Sequence, residues 1–201
     1  MKVEVSAIKA LNQFLDAAPE HTRQAASLAM NGVIPRKGMT RYKKKMKSQI
    51  AFPAGYLDDV EKFGVTSFAT PSRLEAKITA RQRPTSLARF ATGPIGGEGA
   101  RVRVKASGGK TLKRAFLVRL RAGTQLDGDN YNIGLAVRIP GGEAGIRNKR
   151  DTSRMVHLAK DVFLLYGPSV DQVFRSVSVT ETPFVLNEIE AEFYRQFARL
   201  A

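Results

Sequence analysis

Apolar residues at helical spacing open the chain. Ile8, Leu11 and Leu15 fall at i, i+3 and i+7 and predict a helix from about residue 6. Pro19 interrupts it and suits the first position of a second helix running to about residue 33. Ala25, Ala26, Leu28, Ala29 and Met30 give that helix a small, smooth surface for close packing, and Asn31-Gly32 is its expected stop. From about 73 to 140 the period changes to two. Leu74, Ala76, Ile78 and Ala80 alternate with Glu75, Lys77, Thr79 and Arg81, as in a half-buried strand. Arg101 to Lys105 alternate again, as do Phe116, Val118 and Leu120, and then Ile133, Leu135, Val137 and Ile139. Ser107-Gly108-Gly109-Lys110 is expected at a hairpin tip, and Asp127-Gly128-Asp129-Asn130 at another turn.

The remainder is loop and helix. Residues 35–57 combine basic residues with Gly38, Pro53 and Gly55 and predict a flexible basic arm or loop. Flexible loops are also expected around 91–100 and 141–154. Val162 to Leu165 form a short apolar run, and Tyr166-Gly167-Pro168 turns the chain into a short helix bearing Val170, Val173, Phe174 and Val177. A separate final helix is expected from Thr182 as N-cap with Pro183 at its first position. Leu186, Ile189, Phe193, Phe197 and Leu200 form its stripe; Glu188, Glu190 and Glu192 precede Arg195 and Arg199, which complements the helix dipole. The fold class that follows is α+β. N-terminal helices lead to a central antiparallel β-sheet with long basic hairpins, and a C-terminal amphipathic helix packs on the sheet, in one domain spanning 1–201.

Composition sharpens this picture in one respect. The chain has 201 residues, 43% of them hydrophobic, enough for a packed core. Its formal net charge of +15, with a pI near 10.4, calls for nucleic acid, an anionic membrane surface or an acidic protein neighbour. The absence of cysteine excludes disulfides and thiolate metal sites. No stretch approaches the roughly 18 apolar residues of a membrane span. Met1-Lys2-Val3-Glu4-Val5 lacks the apolar core of a signal peptide, so a protein that is not exported by that route and has no membrane partner is expected.

No constellation for catalysis assembles. His21 and His157 are the only histidines, and neither comes with the full set of partners that proton transfer or a metal site needs. Gly109-Lys110-Thr111 resembles the end of a phosphate-binding loop, but Val104 stands where its first glycine belongs, and the segment joins two strands. Asp127 and Asp129 begin like a calcium loop, yet Asn132 and Arg138 occupy the glycine and glutamate positions. Gly93, Gly96, Gly97 and Gly99 do not lead a strand into a helix, as a dinucleotide fingerprint would. The expectation is a protein that is not an enzyme and uses no cofactor or metal.

Two basic sets remain as candidate contacts to DNA or to a partner. One is Arg36, Lys37, Arg41, Lys43, Lys44, Lys45 and Lys47 in the arm. The other is Arg101, Arg103, Lys105, Lys110, Lys113, Arg114, Arg119 and Arg121 on the sheet. Such residues bind phosphates without sequence preference through counterion release, or form a solvated face neutralised by acidic subunits. Tyr42 is the only aromatic inside the arm's basic run, so base stacking has little to work with.

The order of segments resembles the phage minor tail proteins related to the tail protein Z of lambda-like phages and, more loosely, the tail-completion and neck proteins of long-tailed phages. The resemblance rests on Ala7 to Leu11 and Ala25 to Asn31, on Leu74 to Arg81 with Leu87-Ala88-Arg89-Phe90, on the basic Gly-rich β region, and on Leu165 to Phe174 followed by the closing helix. It does not extend to residues 52–70 or 141–154. It implies a non-enzymatic virion component, assembled in the host cytoplasm, that forms a ring at or near the head–tail junction and helps tail completion and head–tail joining. The implied partners are further copies in a cyclic homo-oligomer, with a hexamer expected, then tail-tube, tail-terminator or neck proteins, and phage DNA in the lumen. The alternative is a non-specific nucleic-acid-binding protein acting alone, such as a ribosome-associated or packaging factor.

Overall fold

The computed structural model describes residues 19–93, 95, 99–120, 132–139, 155–159 and 161–200. The helix expected from residue 6, the turn at 127–130, the loop at 141–154 and Arg121 lie outside them. Helix α1 spans Glu20–Val33, with the Pro19 carbonyl accepting from the amides of Thr22 (3.0 Å) and Arg23 (3.3 Å). Ala25, Ala29 and Val33 are buried along one face, Ser27 is buried on another, and α1 packs closely against the last helix.

Asn31-Gly32 does not stop α1. The Asn31 side chain ties down a remote strand end instead, donating to the Ala69 carbonyl (2.8 Å) and accepting from the Ala69 amide (2.9 Å). The chain continues through one wide π turn, Ile34–Gly38, into α2, Met39–Gln49. Pro35 lies in that turn; it has no amide hydrogen to donate, and its ring would crowd the carbonyl one α-turn back. The expected flexible arm at 35–57 is thus overturned for residues 35–49. Met39, Tyr42 and Met46, at i, i+3 and i+7, form a buried stripe that outweighs the mutual repulsion of the lysines. After α2 the chain stays tied: the Ala51 amide donates to Val104 (2.8 Å), and Phe52, Tyr56 and Leu57 are buried.

The expected single sheet is three sheets. β1 (Phe63–Ser67) pairs with β2 (Lys77–Ala80), so only the second half of the expected 74–80 strand is paired. β4 (Ala100–Lys105) and β5 (Gly108–Leu112) form a second two-stranded ribbon. The turn between them is Ala106-Ser107, so Gly108, Gly109 and Lys110 already lie in β5 rather than at the tip. The third sheet has five strands: β3 (Thr85–Ser86), β6 (Ala115–Leu120), β7 (Asn132–Arg138), β8 (Met155–Ala159) and β9 (Val162–Gly167). All its pairings are antiparallel; β7 joins β6 to β9, and β8 also pairs with β9. His157 lies within β8. The ends of the expected 91–100 loop are held, with Ala91 bridged to Val102 and the Thr92 amide bonded to the Arg101 carbonyl (2.9 Å).

One helix, α3, closes the chain from Val170 to Leu200. The expected break at Thr182-Pro183 is absent. Val170, Val173, Val177, Glu181 and Val185 make an unbroken buried stripe across it. Pro183 lies on the exposed side, where solvent can satisfy the carbonyl it leaves unbonded. The true cap is at Ser169. Its hydroxyl accepts from the Gln172 amide (3.0 Å), and the Gln172 side chain accepts from the Ser169 amide (3.1 Å), a reciprocal capping box. The core joins Met46, Tyr42, Phe63, Leu135, Leu165, Val170 and Val177, so both helical layers and the five-stranded sheet share it.

Candidate functional site

The first basic set sits on α2 and the π turn, and most of it is neutralised from within. Arg41 Nε lies 2.6 Å from Oε2 of buried Glu181, with Lys45 3.7 Å from the other oxygen. Lys43 and Lys47 share Asp58 at 2.9 and 3.9 Å, and Lys37 meets Glu188 at 2.6 Å. The hydrogen bond from Lys43 holds the Asp58 carboxyl below its ordinary range. Arg36 and Lys44 are exposed and have no carboxylate partner among the described residues. They flank a cleft of about 530 Å³ at the π turn, floored by Val33, Gly38, Phe184 and Val185. The Arg41 guanidinium covers the Phe184 ring at 4.2 Å.

The second set does not form one face. Arg101 and Arg103 project from one side of the β4–β5 ribbon. Lys110 pairs with Val102 and so belongs to the opposite side. Lys105 pairs with Gly108 beyond a bulge. Lys113 and Arg114 occupy the turn into β6, where Arg114 takes a φ of 61°. Arg119 stands on a different sheet, paired with Ile133. Register and sheet partition thus separate residues that alternation alone had put together.

A third group was not singled out from the sequence. Arg81, Arg83 and Arg89 line a cup of about 200 Å³ with Tyr56, Pro84, Ser86, Leu120, Ile133, Leu164 and Tyr166. Arg81 Nη1 donates to the Tyr56 hydroxyl (3.4 Å), and the Arg89 guanidinium lies 5.5 Å from the centre of the Tyr56 ring. The signal was present: no acidic residue occurs from Ala76 to Gly97. Strand periodicity took Arg81 as one outward residue of a strand and left Arg83 unremarked.

Groups for acid–base or metal chemistry stay dispersed. The described residues hold no cluster of three or more histidines, aspartates or glutamates fit to bind a metal ion. His21 packs at 5.4 Å on Phe197, and His157 at 5.3 Å on Phe163. Asp59, next to Asp58, is engaged by a different lysine, Lys62, whose hydrogen bond lowers its pKa. Among the described residues, no helix is long and apolar enough to cross a membrane.

Large apolar side chains are exposed singly at Leu28, Val60 and Phe68 and in groups on two elements. On α3 they are Val179 (77% exposed), Tyr194 (62%), Leu186 (56%) and Phe184. On the five-stranded sheet they are Leu117, Ile133, Val156 and Leu158. Strand β6, with β7 as its one neighbour among the described residues, is an edge strand. Compared with known protein families, with curated proteins and with solved structures, the chain matches none of them.

Proposed function

We propose that this protein is a structural component of a bacteriophage virion, a minor tail or tail-completion protein. It forms a ring at or near the head–tail junction and helps to complete the tail and join it to the head. The observation that carries the assembly part is the exposed apolar surface. Val179, Leu186 and Tyr194 recur along one side of α3, and Val156 and Leu158 stand on β8, uncovered among the described residues. Exposed apolar surface of this kind marks protein–protein contact. The phage setting rests on the resemblance in segment order. Basic residues turned to several sides suit a subunit that meets neighbours, and DNA in a lumen, through different faces.

The non-specific nucleic-acid-binding reading keeps one observation in its favour. Arg101, Arg103 and Lys105 on β4 are exposed and have no carboxylate partner among the described residues. Light scattering of the purified protein and mass spectrometry of the phage particle separate the two. A closed oligomer, weakened by Leu186→Glu, and presence of the chain in tail fractions are expected. A monomer that binds DNA steeply with falling salt, and that is absent from the particle, would overturn the first reading.

A further inference from the structure

We propose that the cup formed by Arg81, Arg83 and Arg89 binds a phosphate-class oxyanion. The cup's chemistry is the same whether the chain works in a ring or alone, so this goes beyond the assembly reading.

Charge is the first ground. On α2 and the π turn the protein cancels most of its cations with Glu181, Asp58 and Glu188. The cup shows the reverse, since three guanidiniums line it and, among the described residues, no carboxylate does. Two acids on the segments that hold Arg81 are engaged elsewhere: Asp171, whose amide donates to the Arg81 carbonyl, pairs with Arg175 at 2.9 Å, and Asp59 pairs with Lys62. Three uncancelled like charges in a small concavity repel one another, and an external anion relieves that repulsion.

Preorganisation is the second ground. The Arg81 amide donates to the Lys62 carbonyl (2.8 Å), and the Arg81 carbonyl accepts from the Asp171 amide (3.1 Å). Thr85 and Ser86 pair with β9, and Leu87 and Phe90 anchor the short 3₁₀ turn that carries Arg89. Arg81 and Arg89 both rest on Tyr56, which is buried and stacked on Phe52 at 5.7 Å. These contacts occupy few of the five donors that each guanidinium carries.

Size and geometry choose the ligand. At about 200 Å³ the cup is below the roughly 300 Å³ at which sites for whole drug-sized molecules begin, so it suits one oxyanion group. A tetrahedral phosphate offers acceptor oxygens in several directions, which matches forks arriving from three positions better than a planar carboxylate does. The group can come from free phosphate or from a nucleic-acid backbone.

The test is calorimetric titration of the full chain with inorganic phosphate, at ionic strength held constant with chloride. Arg83→Ala/Arg89→Ala is expected to weaken binding about tenfold or more. Arg36→Ala/Lys44→Ala, an equal loss of charge outside the cup, is expected to leave it within about twofold. Should the first variant melt early, Arg83→Gln/Arg89→Gln makes the same reading. A labelled oligothymidylate separates the sources. Weaker oligomer binding in the cup variant alone, with displacement by phosphate, identifies a backbone phosphodiester; a loss confined to inorganic phosphate identifies the free ion. Equal weakening in both double variants overturns the proposal. So does an oligoglutamate peptide that binds the cup as tightly as phosphate.

Discussion

Arg41 on α2 places its Nε 2.6 Å from Oε2 of Glu181, a residue of α3 that is only 6% exposed. A buried carboxylate is costly without a partner, and Arg41 supplies both the charge and the hydrogen bond. Lys45 at 3.7 Å supports it less directly. Arg41→Ala should therefore lower stability by about 1–3 kcal/mol in urea unfolding, the lower end reflecting the half-exposed Arg41 and the remaining lysine. Lys44→Ala, beside Lys45 but without a carboxylate of its own among the described residues, should stay within about 0.5 kcal/mol.

The helical state of 39–49 has its own test. Met46 is fully buried, so Met46→Ala should cost about 2–5 kcal/mol. A basic arm would be cut by trypsin at Lys43 to Lys47 in the native protein. The helix should protect those bonds until global unfolding. Early cleavage there, with an indifferent Met46→Ala, would restore the arm.

Gly99 enters β4 at a φ of 108°, and a Cβ there would lie 2.1 Å from the Leu112 carbonyl oxygen. Backbone cannot yield as a side-chain tip can. Gly99→Ala should destabilise by about 2 kcal/mol or more, whereas Gly108→Ala, with open space around it, should cost about 1 kcal/mol or less. Paired thermal melts of the two variants make the comparison.

Glu192 accepts from Arg195 Nε (2.9 Å) and Nη2 (2.6 Å) and from Gln196 Nε2 (2.6 Å). These bonds, Arg195 first, hold its pKa down from 4.5 to about 2. A carboxyl whose pKa is depressed on folding stabilises the fold fully above its unfolded value and loses that contribution as pH falls through the folded one. The stability of the native chain relative to Glu192→Gln should thus be flat above pH 5 and shrink between 4.5 and 2. Asp58 and Asp59 also titrate low, and taking the difference between the two proteins removes their share.

Much of the architecture was legible where periodicity is local. The alternation at 101–105, 116–120 and 133–139 matches β4, β6 and β7, and Pro19 does mark the start of α1. The two helical misreadings share a cause. Lysine density hid the Met39, Tyr42 and Met46 stripe, and a plausible cap at Thr182-Pro183 hid the valine stripe running through it. In both cases burial of the stripe outweighed the local signal. The Thr182 hydroxyl instead shares a hydrogen bond with the Tyr42 hydroxyl, 3.0 Å away. The capping box Ser169-Val170-Asp171-Gln172 was readable and went unread.

Side-chain period and turn chemistry act between near neighbours, so the sequence by itself determined the α+β class, the strands β4, β6 and β7 with half of β2, and the basic character of the chain. Charge cancellation and convergence act between residues far apart in the chain. Arg41 and Glu181 are separated by 140 positions, and no local pattern pairs them. Only the tertiary structure decided that the strands divide into three sheets and that α2's lysines are mostly neutralised. It alone brought Arg81, Arg83 and Arg89 together in one cup beside buried Tyr56, with no carboxylate lining it among the described residues.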